Sequence, residues 1–289
     1  MLRGLLDAGV EVPLVVSQPD RPAGRRRTLT PPPVAALALE LGLPLLQPER
    51  AGAAEDALRA TEPAAIIICA YGQLLPAALL ALCPWLNLHP SLLPRWRGAA
   101  PIERALMAGD AETGVTVMRT VAELDAGPLV FEQTIPLGDE ADAAFVEREA
   151  LRLGVPALVA ALAAAHALPE QPQAAAGATY AAKLVREDRL LDPAVDTVRV
   201  ALNRIRALRP HIGAQLALDG ETTLIWRATA AVERGVAGAV AVVDGALLVG
   251  LVDGAITIGE LQSAGRKALP AAEWLRGRRA LPTTATRPV

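Results

Sequence analysis

Two side chains able to serve acyl transfer, Asn87 and His89, stand two residues apart at the end of the apolar run Trp85-Leu86-Asn87-Leu88-His89. In an extended chain residues i and i+2 share a face, so a strand here delivers a neutral amide donor and an imidazole to one place. An imidazole exchanges protons near neutral pH, and an amide N–H steadies the oxyanion that forms when a carbonyl carbon is attacked. Taken alone, Asn-x-His before Pro90 reads equally as a capped turn. Asp125, in Ala122-Glu123-Leu124-Asp125-Ala126-Gly127, has the same double reading, because a loop aspartate near a glycine is first of all a turn former. Arg25, Arg26 and Arg27 form a dense positive charge suited to phosphates, or else a solvated basic turn. Cys69 and Cys83 lack a Cys-x-x-Cys context, and only three histidines occur, so neither a metal site nor a disulfide framework is expected. Both cysteines read as core thiols.

Certain elements must position these groups. Residues 2–8 read as a helix closed by Gly9, and residues 10–16 as a short strand. The stretch 17–33, rich in proline and arginine, reads as a loop unable to join a sheet. Helices over 34–41, 55–61 and 75–82 then alternate with strands over 44–47, 64–70 and 85–89, and this alternation implies a parallel sheet covered on both faces. In such sheets ligands bind beyond the carboxyl ends of the strands, where Asn87 and His89 lie and where Tyr71-Gly72 should join them. A helix over 99–107, strands over 115–119 and 128–137, and a long helix over 141–165 complete this part. Residues 166–179, with Pro169, Pro172 and five alanines, have a linker's composition. Beyond it a helix over 193–207 precedes short strands with Asp-Gly turns at 219–220, 244–245 and 253–254, which fit an antiparallel barrel of about five strands. The expected division is 1–168, a linker at 169–182, and 183–289.

A chain of 289 residues, 52% apolar and 20% charged, is a two-domain globular protein by size and composition. Its most apolar stretch, 155–168, is too short for a bilayer, and the start lacks a basic segment leading into an apolar run, so a cytoplasmic protein without a membrane partner is expected. No Gly-rich phosphate loop supports nucleotide triphosphate chemistry. Residues 1–183 carry 14 basic against 20 acidic side chains, and residues 184–289 carry 14 against 11. A basic second half on an acidic first half points to a polyanion, although so small an excess also describes an ordinary surface.

The string Asn87-Leu88-His89-Pro90-Ser91-Leu92-Leu93-Pro94, followed by Arg95-Trp96-Arg97-Gly98-Ala99-Ala100-Pro101-Ile102 and by Leu124-Asp125-Ala126-Gly127, resembles the folate-dependent formyltransferases. Within that superfamily it is most similar to the methionyl-tRNA formyltransferases. The resemblance implies a Rossmann-like parallel sheet followed by an OB-like β-barrel. It also implies transfer of a formyl group from 10-formyltetrahydrofolate to initiator methionyl-tRNA for translation initiation, by a monomer and without a metal. On this resemblance Asn87, His89 and Asp125 are the catalytic groups, Asp125 orienting His89 and favouring its imidazolium. Ser91, Leu92, Leu93 and Pro94 line the folate pocket. Arg25, Arg26, Arg27, Arg266 and Lys267 meet the transfer RNA. Two alternatives stay open: a relative acting on a sugar amine or other small amine, which shares Asn-x-His-Pro-Ser-Leu-Leu-Pro and the aspartate, and an inactive RNA-binding protein. The family also opens with a central strand and a glycine turn, whereas this chain starts in what should be the following helix, so at least ~10 further upstream residues are expected.

Overall fold

The computed structural model describes residues 1–23, 27–164 and 170–289. In chain order the elements are α1 (Leu2–Asp7), β1 (Val15–Val16), β2 (Arg21–Ala23), β3 (Thr28–Thr30), α2 (Pro33–Glu40), β4 (Leu45–Leu46), α3 (Glu55–Ala60), β5 (Ile66–Ile68), α4 (Ala77–Leu80), β6 (Trp85–His89) and β7 (Arg97–Gly98). There follow α5 (Pro101–Ala108), β8 (Glu112–Arg119), β9 (Leu129–Pro136), α6 (Ala143–Ala163) and β10 (Tyr180–Ala181). The remainder is α7 (Val198–Leu208), β11 (Ala214–Leu218), β12 (Glu221–Ala230), β13 (Val240–Val243), β14 (Ala246–Gly250), β15 (Ala255–Ser263), β16 (Leu269–Pro270), α8 (Ala271–Arg276) and β17 (Ala285–Thr286). The chain divides into one unit made of 1–99, 114–134 and 149–180, and another made of 100–113, 135–148 and 181–289. The expected boundary at 168/169 falls on residues outside those described, and residues 170–180 belong to the first unit. Among the described residues no helix is long and apolar enough to cross a membrane.

In the first unit β6 lies between β5 and β8. It runs parallel to β5, with Ile68 opposite Asn87, and antiparallel to β8, with His89 opposite Thr116. The parallel pair β5–β6 is thus extended by an antiparallel neighbour, while β1 and β4 pair in parallel as a separate two-stranded sheet. Strand geometry places Leu86 and Leu88 on one face and Trp85, Asn87 and His89 on the other. Trp85 is buried among residues of α3, α4 and the turn 51–54, and its indole N–H donates to the Leu79 carbonyl at 2.9 Å. On the opposite face α6 presses Gly154 against Leu88, so both faces are helix-covered.

Several expectations change. The stretch 17–33 does pair, as the hairpin β2–β3, with Pro22 opposite Leu29. Proline costs little there because a two-stranded ribbon leaves its missing donor at an edge. The strand expected over 10–16 pairs only at Val15 and Val16. Among the described residues no strand lies between β1 and β5, and the edges of these two strands border a cavity of about 890 Å³ lined by residues such as Val15, Ile67 and Tyr71. Cys69 lines this cavity and is exposed, and Cys83 is partly exposed, so neither is the core thiol its apolar neighbours implied.

In the second unit the strands run in the order β13-β14-β15-β12-β11-β17, with β16 on β15, one more than the five expected along the path. An antiparallel bridge between Ala239 and Thr284, with the Val240 N–H donating to the Thr283 carbonyl at 3.0 Å, rolls the sheet nearly shut. Asp219-Gly220 and Asp244-Gly245 turn with positive φ at both residues, as tight hairpins require. Asp253 has another use: its carboxylate accepts the Val198 N–H at 2.8 Å, beside the Thr197 cap of α7, which is why that helix starts at 198 rather than 193.

The contact between α6 and β6 yields a prediction. A Cβ at Gly154 would stand 2.4 Å from Leu88 Cδ1. Gly154→Ala should therefore destabilise the protein by about 1–3 kcal/mol through overpacking, despite alanine's better helix propensity. Denaturant unfolding checks this, and an unchanged or raised midpoint would mean that α6 stands off the strand.

Candidate active site

Strand β6 brings two side chains to one rim, and the loop between β8 and β9 supplies a third. His89 is 5% exposed, Asn87 is half-buried, and the Asp125 side chain is 10% exposed. The Asn87 Nδ2 donates to Asp125 Oδ1 at 3.3 Å, and the Gly98 N–H donates to Asp125 Oδ2 at 2.8 Å. His89 Nδ1 stands 3.8 Å from Asp125 Oδ2, close enough to feel its charge and too far for a hydrogen bond. The expected trio is thus gathered.

The ring is oriented by a different group. His89 Nε2 lies 2.9 Å from the Trp96 carbonyl oxygen, which can only accept, so Nε2 carries the hydrogen and Nδ1 of the neutral ring presents a lone pair beside Asp125. Burial pushes the imidazole below its ordinary pKa, and the opposite pulls of Asp125 and the Trp96 carbonyl are smaller. Asp125 does favour the imidazolium, as expected, but desolvation of a ring this deeply buried outweighs one carboxylate that does not hydrogen-bond to it.

The loops that carry these partners are tightly fixed. Trp96 has φ +61°, a conformation costly for a bulky residue, and its N–H donates to Thr179 Oγ1 at 2.8 Å while its carbonyl faces His89. Gly127 permits the Asp125 loop to return onto β8, since a Cβ there would lie 1.7 Å from the Arg119 carbonyl oxygen. Ser91 and Leu93 are buried. The Ser91 hydroxyl donates to the Arg95 carbonyl at 2.7 Å and the Thr116 hydroxyl donates to the Ser91 carbonyl at 2.6 Å, so both ends of Ser91 serve the loop's own fold. Leu92 and Pro94 remain partly exposed and are the members of this loop able to meet a ligand.

Of the residues expected to meet RNA, Arg25 and Arg26 lie outside the described residues, while Arg27, Arg266 and Lys267 are exposed. Tyr71 lines the cavity beside β5. Among the described residues no three His, Cys, Asp or Glu side chains gather into a group able to hold a metal ion. The carbonyl of Trp96, the N–H of Gly98, and the side chains of Thr179 and Gln173 escaped sequence reasoning. Backbone groups carry no residue-type signal, and the two side chains sit in a stretch whose composition spoke for a linker.

Comparisons with known proteins show the family of the chain. The model of the formyl transferase family matches residues 4–162, and that of the formyl transferase C-terminal domain matches residues 183–279. The chain is 43% identical over 290 residues to the methionyl-tRNA formyltransferase of Halorhodospira halophila, spanning 97% of this chain and 93% of that one. It is 40% identical over 283 residues to the corresponding enzyme of Methylobacillus flagellatus, spanning 96% and 92%. Among solved structures, HypX from Aquifex aeolicus in complex with tetrahydrofolic acid matches with TM-score 0.64 and 22% identity over 85% of this chain and 47% of that one. The sugar 3N-formyl transferase WlaRD matches with TM-score 0.61 and 15% identity over 92% and 93%. Likenesses at that identity speak for the fold alone.

The buried neutral imidazole predicts a pH dependence of stability. With a folded pKa below the ordinary 6.5, the unfolded chain takes up the proton first, so the neutral ring's contribution is present above about pH 6.5 and is lost as pH falls below it. Unfolding midpoints measured from pH 8 to 5 should fall less steeply in His89→Gln than in the parent. Identical slopes would show that His89 titrates normally in the folded protein.

Proposed function

We infer that this chain, which belongs to the methionyl-tRNA formyltransferase family, transfers a formyl group from 10-formyltetrahydrofolate to the amino group of initiator methionyl-tRNA, for translation initiation. The observation that carries the reading is the meeting of Asn87, His89 and Asp125 at the carboxyl end of β6. Folate supplies the one-carbon unit as a formyl group on nitrogen. The residues present fit that chemistry: Asn87 spends one N–H on Asp125, and the other can meet the oxygen on which negative charge develops. Neutral His89 offers Nδ1 to the proton that the attacking amine must lose, Asp125 beside it balances the cation so formed, and that proton can pass to the folate nitrogen as its bond to the formyl carbon breaks. Leu92 and Pro94 offer apolar surface to the folate, while Ser91 and Leu93 shape the loop beneath them.

On the same reading residues 1–168 carry the chemistry and 183–289 the barrel that helps hold the RNA, with 169–182 between them, and the protein works in the cytoplasm. Arg25, Arg26 and Arg27 take the acceptor end, and Arg266 and Lys267 contact phosphates. The gathering of Asn87, His89 and Asp125, with Asn87 bonded to Asp125 and His89 beside it, speaks against an inactive RNA-binding protein. The sugar 3N-formyl transferase at 15% identity speaks for the fold and for no acceptor, whereas the 40–43% identical relatives are named for methionyl-tRNA.

The deciding experiment offers charged initiator transfer RNA, free methionine and a sugar amine to the protein with 10-formyltetrahydrofolate. Formylation of the RNA alone is expected, and preference for either small amine would overturn the assignment. Asn87→Ala and His89→Ala should each lower turnover at least ~100-fold, the usual contribution of a positioned oxyanion donor or proton acceptor. Arg25→Ala should raise KM for the transfer RNA, leave KM for the folate unchanged, and reduce the salt slope of RNA binding by about 1, as loss of one phosphate contact requires. An equal loss of folate affinity would remove Arg25 from the RNA interface.

A further inference from the structure

The stretch read from composition as a linker holds the active site together. Gln171 forms a two-way backbone bridge to Leu129, with N···O distances of 2.7 and 2.9 Å. The Thr179 hydroxyl accepts the Trp96 N–H, and the Thr179 carbonyl accepts the Arg97 N–H at 2.9 Å. Between these anchors the Gln173 side chain reaches inward to residues flanking the catalytic groups. Its Nε2 donates to the Asp125 carbonyl at 2.7 Å and to the Gly127 carbonyl at 2.9 Å. Its Oε1 accepts from Arg97 Nη2 at 2.6 Å and from Arg97 Nε at 3.1 Å, a charge-assisted fork.

We propose that Gln173 is a positioning residue for formyl transfer: its amide ties the Asp125 loop to the Arg97 segment and thereby sets where the Asp125 carboxylate stands relative to Asn87 and His89. The need for such a tie is visible in the loop itself. Residues 121–124 are exposed, and Asp125 has φ +48°, a conformation an L-residue holds only when its surroundings dictate it. The two carbonyls that accept from Gln173 flank the turn at 125–127, and the guanidinium it grips belongs to the residue preceding Gly98, whose N–H binds the carboxylate. One amide therefore fixes both sides of the same hydrogen bond. Arginine or lysine could not replace it, because the position needs two donors and a strong acceptor on one planar group, which only a carboxamide supplies.

The proposal rests on the assignment of Asn87, His89 and Asp125 to formyl transfer, and the test separates the two. Gln173→Ala, Gln173→Glu and the control Gln171→Ala are compared with the parent in kcat, KM for each substrate, cooperative unfolding, and hydrogen exchange of the Gly98 amide. The glutamate retains an oxygen pair for Arg97 and loses both donors to the carbonyls. Both Gln173 variants should unfold cooperatively, lose about 10- to 100-fold in kcat, as small misplacements of catalytic groups do, and keep KM within about 2-fold. Both should also exchange the Gly98 amide faster than the parent, while Gln171→Ala behaves as the parent. Normal kcat in Gln173→Glu would show that gripping Arg97 is the whole role and overturn the proposal, as would loss of cooperative unfolding in both Gln173 variants. A parent inactive on every amine would sink the functional assignment instead. The exchange rate of Gly98 would then still decide the positioning claim, with an unchanged rate refuting it.

Discussion

A carboxylate that is 10% exposed and takes its hydrogen bonds from neutral groups is the constraint on which the first unit's site depends. Burying an ionised group is tolerable only when hydrogen bonds replace its water. Asp125 receives those bonds from the Gly98 N–H and the Asn87 amide. Arg97, the residue preceding Gly98, directs its guanidinium to Gln173 and Glu123 instead. The negative charge is therefore held by dipoles and left electrostatically incomplete. On the proposed mechanism the complement arrives when His89, held neutral by its own burial, takes a proton at Nδ1. In a site of low effective dielectric that transient ion pair is worth far more than it would be in water, and the dipoles are already aligned for it.

Much of this was legible in the sequence where a period or a spacing expressed it. The strand 85–89 was read to the residue, because alternation of Leu86 and Leu88 with Trp85, Asn87 and His89 has only one extended solution. The turns at Asp219-Gly220 and Asp244-Gly245 followed from the positive φ that hairpins need. Misreadings came where context overrides composition. Residues 10–14 are mostly apolar yet lie outside the β1 pairing, since a strand needs a neighbour as well as a pattern. Cys69 sits in an apolar run yet is exposed, because that run borders a cavity. Gln173 lies among alanines and prolines whose lack of large apolar side chains suggests a tether, whereas the segment is held by hydrogen bonds, which leave no hydrophobic trace in a sequence.

The two aspartates that matter most in the two units show how one residue type serves opposite ends. Asp125 and Asp219 both have positive φ beside a nearby glycine, and from sequence both are turn formers. Asp219 stays at the surface, where the N–H groups of Thr284 and Thr283 hold its carboxyl below the usual range and tie the final strand to the barrel. Asp125 is turned inward by Gly127's close return onto β8 and by Gln173's grip on the backbone. What separates a structural turn from a catalytic one here is the partner across the chain, and that partner is 48 residues away.

The same separation governs acceptor choice. A formyl carbon, its oxygen and an amine nitrogen are common to every substrate of this chemistry, so nothing in the trio proposed to act on them, Asn87, His89 and Asp125, distinguishes a transfer RNA from a small amine. Selection must come from charge beyond it. Residues 1–183 carry an excess of 6 acidic side chains and residues 184–289 an excess of 3 basic ones. An acceptor end rich in phosphates is repelled by the first and drawn by the second. An acidic catalytic half can receive it only if positive charge is concentrated locally, because at physiological salt exposed charges act over about 8 Å. Arg25, Arg26 and Arg27 follow one another in the sequence, and on the proposed reading they supply that concentration, where scattered arginines of the same number would be screened from one another's work.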